Sequence, residues 1–582
     1  MNILNFEKLI TETFQSINIT PREGQVEAID KILTAFFING NKRVVLNAPT
    51  GYGKSIIAIV VSKTMQKIKM DQSLWHEESF AYCNEGDEGF KSCILMHTNV
   101  LVDQYEKSFK GIPGFYSIRG AEHYQCPHLG QTADHCYKFA LTKAIEKAKG
   151  PDKDSLIKQL DYCTSECEYK ISRKLGRESE ILCTNNSYHI LMQIYARPQS
   201  SYPDLIYPMR NLCVVDEAHL LNDSFVSHMQ IHLTKDILRN IYKDLDKQGL
   251  QAPLCTDLIK EYDDISETEY KDYFKRLCAY YKTAALICAK KSEEYLKDDK
   301  KKEYARCKSL YNKYFGLHCK IDDLFKYDYE HIVDIGDEQI DIKPIFMRDL
   351  FRMVITSEYQ LFMSATIEPT LMKYFYGTSK FEYIQLKPIF DKSQKKVTFF
   401  NIGKLNHSNI QESSKELAMC CEEIMRTQEG KGIIMTPSFA ISSSISDYLR
   451  TKKKFKKKIF EHKKGEKITV VLDDHRGYEG PSLIITPSGF EGIDLKDDES
   501  RFQIMVKAPY YSLGDKRMKY ILDKYPKLYS LITLYKIVQG MGRSTRNQSD
   551  HSHTYCLDSN ICKLFMSQSN IWIDEFEYEI ER

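Results

Sequence analysis

Short apolar runs, each followed by a turn and then a helical pattern, recur along this chain. Four of them, Arg43 to Leu46, Cys93 to Met96, Leu212 to Val215 and Gln360 to Met363, are almost continuously apolar, without alternation. A strand reads this way when both its faces are covered, so the runs predict a parallel sheet flanked by helices. Val397 to Phe400, Gly432 to Met435, Leu483 to Thr486, Phe502 to Val506 and Thr554 to Leu557 repeat the pattern in the C-terminal third. Two α/β sheets in tandem are expected. Two stretches of different character interrupt the first: a cysteine-bearing segment from Lys107 to Glu180, and a Lys-, Glu- and Tyr-rich segment from Asp223 to Gly336. In the latter, YLKDDKKKEYARCKSLYNKYF sets Tyr, Leu and Phe at helical spacing among mixed charges, which predicts antiparallel helices.

Composition agrees with several cores: 582 residues, 42% of them hydrophobic, exceed what one core holds. Lys plus Arg number 82 against 80 Asp plus Glu, so any nucleic-acid surface must be a local patch. The start, MNILNFEKLITETF, lacks the basic and apolar regions of a signal peptide, and no apolar run approaches membrane-spanning length. A soluble intracellular protein without a membrane partner is expected. The 17 cysteines are scattered through a long chain, which favours reduced thiols or metal ligands over a disulfide framework.

The chemistry begins after the strand RVVL, with Asn47-Ala-Pro-Thr-Gly-Tyr-Gly-Lys-Ser55 and then the helix-like IIAIVV. Strand, loop and helix in this order fit a P-loop in which Ala48 replaces the first glycine. Gly51 and Gly53 let backbone N–H groups turn inward around phosphate oxygens, and the helix N-terminus adds its positive end. Lys54 is placed for the β- and γ-phosphates of ATP, and Ser55 for magnesium. Ala48 and Thr50 complete the loop's ATP contacts. Downstream, Leu212-Cys-Val-Val-Asp-Glu-Ala-His219 is a buried strand ending in two carboxylates. Asp216 suits the magnesium, and Glu217 suits orienting or deprotonating the attacking water.

A second constellation is Cys126-Pro-His-Leu-Gly-Gln-Thr-Ala-Asp-His-Cys136, followed by Cys163-Thr-Ser-Glu-Cys167. Nine, twenty-six and three residues separate Cys126, Cys136, Cys163 and Cys167 in turn, unlike the paired spacing of a zinc ribbon. Four thiolates suit tetrahedral zinc or an iron–sulfur cluster, and ligand chemistry leaves both open. Cys183, within Glu180-Ile-Leu-Cys-Thr184, reads instead as a core residue of a strand.

The P-loop and Asp216-Glu-Ala-His219 resemble motifs I and II of superfamily 2 helicases. Met363-Ser-Ala-Thr366 resembles motif III, Ser488-Gly-Phe-Glu-Gly-Ile-Asp-Leu495 motif V, and Gln539-Gly-Met-Gly-Arg-Ser-Thr-Arg546 motif VI, all in order. Arg119-Gly-Ala-Glu-His-Tyr-Gln-Cys126, Cys163-Thr-Ser-Glu-Cys-Glu-Tyr169 and Ile181-Leu-Cys-Thr-Asn185 are similar to the iron–sulfur helicases typified by XPD and DinG. The resemblance spans nearly the whole chain and is vaguest in the helical insertion.

That resemblance implies an α/β fold of two RecA-like P-loop motor domains, with an Fe–S domain and a helical arch-like domain inserted in the first. The expected divisions are 1–106, 181–222 and 337–385 for the first motor, 107–180 for the Fe–S domain, 223–336 for the arch and 386–582 for the second motor. It implies a [4Fe–4S] cluster on Cys126, Cys136, Cys163 and Cys167, with Cys136 the ligand whose spacing varies in the family and Zn²⁺ the alternative. It places Gln539, Arg543 and Arg546 on the nucleotide phosphates, and Arg22 and Gln25 of Pro21-Arg-Glu-Gly-Gln25 on the adenine side. DNA contacts are expected from Thr98 in the motif Ia-like His97-Thr-Asn99, from Gly492, and from Arg119, Tyr169, Arg173 and Lys174 around the cysteines. The basic run Lys452 to Lys458 is another candidate, although such runs are usually solvated. The implied activity is a monomeric ATP- and Mg²⁺-dependent DNA helicase acting 5′→3′ on single-stranded and forked DNA, in repair, replication, transcription or a virus. A translocase on single-stranded DNA or RNA that does not unwind, and a non-motor nucleic-acid scaffold, are the alternatives.

Overall fold

The computed structural model describes residues 5–70, 89–126, 131–133, 150–151, 153–155, 157–158, 167–195, 209–247, 256–298, 300–336, 338–348, 350–389, 391–400, 402–405, 410, 412–453, 455–490, 493, 495, 497–545, 550–567 and 572–581. Every apolar run of the first set lies on a strand of one seven-stranded parallel sheet. Its strands are β1 (Arg43–Asn47), β2 (Ser92–Met96), β3 (Phe115–Ser117), β6 (Ile181–Asn185), β7 (Leu212–Asp216), β11 (Tyr359–Ser364) and β12 (Glu382–Gln385), in the order β12-β1-β11-β7-β2-β6-β3. The five interior strands are covered on both faces, which is why four of them, β1, β2, β7 and β11, read as nearly unbroken apolar runs. The short edge strands β3 and β12 carry no such signature.

Register decides where the motifs meet. Asn47 of β1 pairs with Ser364 of β11, and Met363 of β11 with Asp216 of β7. The P-loop, the Asp216-Glu217 pair and the Ser364-Ala-Thr366 turn therefore leave the sheet side by side at its C-terminal edge, where ligands of open α/β sheets bind.

The second sheet is also seven-stranded and parallel, in the order β15-β16-β14-β17-β18-β13-β19. β13 (Lys395–Phe400), β14 (Gly432–Met435), β16 (Ser482–Thr486), β17 (Phe502–Met505) and β18 (Ser552–Cys556) carry the five predicted runs. The edges β15 (Lys458–Glu461) and β19 (Glu577–Glu581) are additions to the sequence reading, because charged residues blunt exposed edges and break the apolar pattern.

In the 223–336 segment, helices Tyr270–Lys297 and Lys301–Tyr327 form the expected antiparallel pair. Tyr281 and Tyr314, both fully buried, stack across the pair at 6.1 Å, and Phe274 of the first helix is fully buried. At the base of the pair lies an antiparallel sheet absent from the sequence reading: β8 (Ile231–Thr234), β10 (Gln339–Pro344) and β9 (His331–Ile335), in that order. This base docks on the second sheet domain. Arg517, buried on helix Lys516–Lys524, donates to the Ile345 carbonyl at 3.0 Å and faces Asp223 at 3.4 Å. Lys516 pairs with Asp334 at 2.7 Å, and Tyr520 donates to Glu330 at 2.9 Å. Near the cysteines, β4 (Gln125–Cys126) and β5 (Gln131–Thr132) form a small antiparallel pair. Among the described residues no helix is long and apolar enough to cross a membrane.

Phe274→Ala would empty a ring-sized volume in the helical pair. It is expected to cost about 3–5 kcal/mol in denaturant unfolding, and an unchanged midpoint would contradict a packed pair.

Candidate nucleotide site

The loop after β1 is shaped by backbone conformations that favour glycine. Gly51 and Gly53 have φ of +84° and +80°, and a Cβ on Gly53 would meet the Gln25 amide nitrogen at 2.4 Å. Gln25 is fully buried. Its amide nitrogen donates to the Tyr52 carbonyl at 3.0 Å, and its amide oxygen accepts from the Arg22 backbone N–H at 2.9 Å. Arg22 is exposed and donates to the Gly51 carbonyl at 3.2 Å. Both residues expected on the adenine side thus brace the loop itself. Lys54 and Ser55 open helix Lys54–Met70, half-buried, and Ala48 and Thr50 flank the bend. The Lys54 ammonium lies 3.4 Å from the Ala48 carbonyl and 3.9 Å from Glu217.

Asp216 ends β7 and accepts a 2.7 Å hydrogen bond from Tyr105. Tyr105 was missed in the sequence because 111 positions separate the two residues and no motif marks it. Burial and then Asp216 push the phenol well above its usual range, so it stays a donor. Glu217 takes a left-handed conformation, φ +50°, that turns the chain sharply after the strand. Burial would raise its carboxyl, but Lys54, His219, Arg543 and the Ser364 hydroxyl hold it below the usual range. Adjacent carboxylates with opposed shifts suit different roles, one beside a metal and one beside a water.

A hydrogen-bond chain leads from Glu217 to the second sheet domain. The Ser364 hydroxyl donates to Glu217 at 3.2 Å and accepts from His219 Nδ1 at 2.8 Å. Gln539, on helix Pro526–Met541, donates to His219 Nε2 at 2.7 Å and to Thr366 at 3.0 Å. This network assigns the imidazole proton to Nδ1. Motifs II, III and VI are brought together in one relay. Arg543 belongs to the same wall of the cleft, where it donates to the carbonyls of Phe490 and Ile493 at 2.8 Å each and so grips the motif V-like loop. Arg546, Gly492 and Asp494 lie outside the described residues.

The remaining candidates lie apart from the cleft. Thr98 caps helix Asn99–Phe109 by accepting from Leu101 N–H. Arg119 is held by Asp103 and Glu106 of that helix, an engagement that leaves its charge largely compensated. Tyr169 is half-buried, with the Arg173 guanidinium 5.9 Å from its ring centre, and Lys174 is exposed. In the basic run, Lys452 lies over the Tyr448 ring at 4.2 Å and Lys457 donates to the Gly430 carbonyl at 2.7 Å. Cys126 ends β4 and Cys167 is the N-cap of helix Glu168–Glu178, both buried. Tyr124 ties the two elements together through a 2.8 Å hydrogen bond to Ser172 and ring contact with Tyr169 at 5.3 Å. Two buried thiols on packed elements, one of them at a helix N-terminus, fit half of a four-thiolate set. Cys136 and Cys163 lie outside the described residues, and among those described no three His, Cys, Asp or Glu side chains form a metal group.

Burial, then Glu217, pushes the Asp216 carboxyl up to about 6 against the pull of Lys54 and Tyr105. The folded state therefore binds this proton more tightly than the unfolded chain, and stability is lost as pH rises from the ordinary carboxylate range through 6. In chelator-treated protein, Asp216→Asn is expected to raise stability at pH 8 by on the order of 2 kcal/mol, with the gain shrinking toward pH 4.5. An equal gain at both pH values would assign the difference to packing instead of charge.

Two protein families match the chain in order. The type III restriction enzyme res subunit family matches residues 18–248, and the helicase C-terminal domain family matches residues 421–569. No curated protein sequence matches it. Among solved structures, one described as an XPD helicase is 14% identical, covers 97% of this chain and 100% of its own, and superposes with a TM-score of 0.62. Xpd4 of S. tokodaii is 12% identical, with coverage of 96% and 100% and a TM-score of 0.58. At such identities the likeness establishes the fold. The two family matches fall on the successive sheet domains of that fold: the chain has the fold of the XPD helicase structures, with a helicase C-terminal domain over residues 421–569.

Proposed function

We propose that the protein is a Mg-ATP-driven DNA helicase that moves 5′→3′ on single-stranded DNA and opens forked duplexes. The observation that carries the reading is the relay Glu217–Ser364–His219–Gln539, which links the group suited to orient a water with the helix of the opposite motor. A change at the phosphate site is thereby felt across the cleft, as a motor requires. Lys54 and the loop N–H groups bind the phosphates, Ser55 and Asp216 offer hard oxygen donors for Mg²⁺, and Glu217 orients the water. Arg543 and Arg546 follow the second motor as it closes, Arg543 exchanging backbone carbonyls for phosphate oxygens. Thr98, Arg119, Tyr169, Arg173, Lys174 and Gly492 form the proposed DNA path.

Cys126, Cys136, Cys163 and Cys167 would hold a [4Fe–4S] cluster, whose contribution is to pin a small, loop-rich domain. The buried pair Cys126 and Cys167 supports this ligand set.

ATP hydrolysis is expected to rise at least tenfold with single-stranded DNA and to be abolished by Lys54→Ala. Hydrolysis indifferent to DNA and RNA would sink the motor reading, and stimulation without strand separation would leave a translocase. Unwinding of a 5′-tailed duplex but not a 3′-tailed one checks direction.

For the thiolates, anaerobically purified protein is expected to contain iron and sulfide. Zinc without sulfide would replace the cluster by a zinc site. Cys167→Ser is expected to lose unwinding while retaining hydrolysis.

A further inference from the structure

Lys395, the first residue of β13, is a charged side chain from the second motor buried against the phosphate loop of the first. Only 3% of it is exposed, and its ammonium lies 3.4 Å from the Thr50 hydroxyl. Its carboxylate neighbour is Glu575, 3.8 Å away and also buried, on the turn Ile573–Glu575 that leads into β19. The same C-terminal segment reaches the cleft a second time. Trp572 packs edge-on against Tyr535 at 5.9 Å, and Tyr535 packs against His219 at 6.5 Å.

Two physical points set this pair apart from an ordinary salt bridge. Desolvating an ammonium and a carboxylate together is rarely repaid by their attraction, so apolar residues would hold the same interface at least as well. The pair itself is also long: at 3.8 Å the ammonium and the Glu575 carboxylate stand beyond hydrogen-bond length. Glu575 in turn feels both Lys395 and Lys54, whose charges oppose the upward push of burial on its carboxyl. Glu575 thus stands beside Lys395 and within the electrostatic reach of Lys54. Thr50 is the contact point for the second motor twice over, since a Cβ on Gly542 would lie 2.9 Å from its hydroxyl.

We infer that Lys395 is a phosphate ligand carried by the second motor, and that Glu575 is the resident carboxylate that holds its ammonium until the phosphate chain of ATP takes its place. The inference rests on the nucleotide reading of the loop given above. Binding then exchanges one anion for another around a cation already desolvated, so little reorganisation is needed at closure. The exchange gives the C-terminal segment a means of sensing nucleotide.

The test is equilibrium binding of AMP-PNP with Mg²⁺ to the full chain and to Lys395→Met, Lys395→Arg and Glu575→Gln, with thermal melting as the check on folding. Lys395→Met is expected to weaken binding about tenfold or more, and Lys395→Arg to retain most of it. Glu575→Gln breaks the same pair but is expected to tighten binding by about threefold, because it removes a competing anion. Lys395→Met within twofold of the parent, or Glu575→Gln failing to tighten binding, would overturn the inference and leave the pair a structural contact. A parent protein that fails to bind AMP-PNP would overturn the nucleotide reading, and this one with it.

Discussion

The contact between His219 and Gln539 is the hinge on which the rest of the arrangement depends. It is a 2.7 Å hydrogen bond between two motors, and it has direction, because the imidazole accepts on Nε2 only while Nδ1 donates to Ser364. Ser364 spends its own proton on Glu217. Each member therefore fixes the orientation of the next, and a fully satisfied polar chain in a low-dielectric setting is stiff. The two parallel sheets exist, in functional terms, to bring the ends of this chain together. Register does that for the first motor by ending β1, β7 and β11 in line.

The same cleft is costly to fold. Burial and Glu217 push the Asp216 carboxyl up, and burial pushes that of Glu575 up against the pull of Lys395 and Lys54. Such strain is expected where charge is kept for a ligand, and apolar packing elsewhere must offset it. The unbroken apolar strands of both sheets and the buried aromatic residues of the helical insertion supply that packing.

The insertions are more than appendages. The base sheet of the helical segment docks on helix Lys516–Lys524 through Arg517, Lys516 and Tyr520, so the insertion in one motor also grips the other. The cysteine-bearing segment lies against helix Asn99–Phe109 through Arg119, and that helix in turn supplies Tyr105 to Asp216. A continuous path of contacts runs from the elements that carry Cys126 and Cys167 through Tyr124 and Arg119 to the Asp216 carboxylate.

The interior strands of both sheets were legible because residues buried on both faces lose all polar alternation, and the phosphate loop was legible because its glycines, lysine and serine sit within nine residues of one another. The edge strands β3, β12, β15 and β19 were not, since short or charged edges carry no such signature. Nor was the three-stranded base sheet, whose short strands β8, β9 and β10 flank long helical patterns. Motif order along the chain located Asp216, Glu217 and Gln539, but their partners had to wait for the fold. Tyr105 lies 111 residues from Asp216, and Lys395 lies 345 from Thr50. Sequence alone determined the local chemistry, because a phosphate cradle and a carboxylate-tipped strand are built from neighbouring residues. Only the tertiary structure decided which buried charges face one another, because those distances depend on strand order and on the closure of two domains.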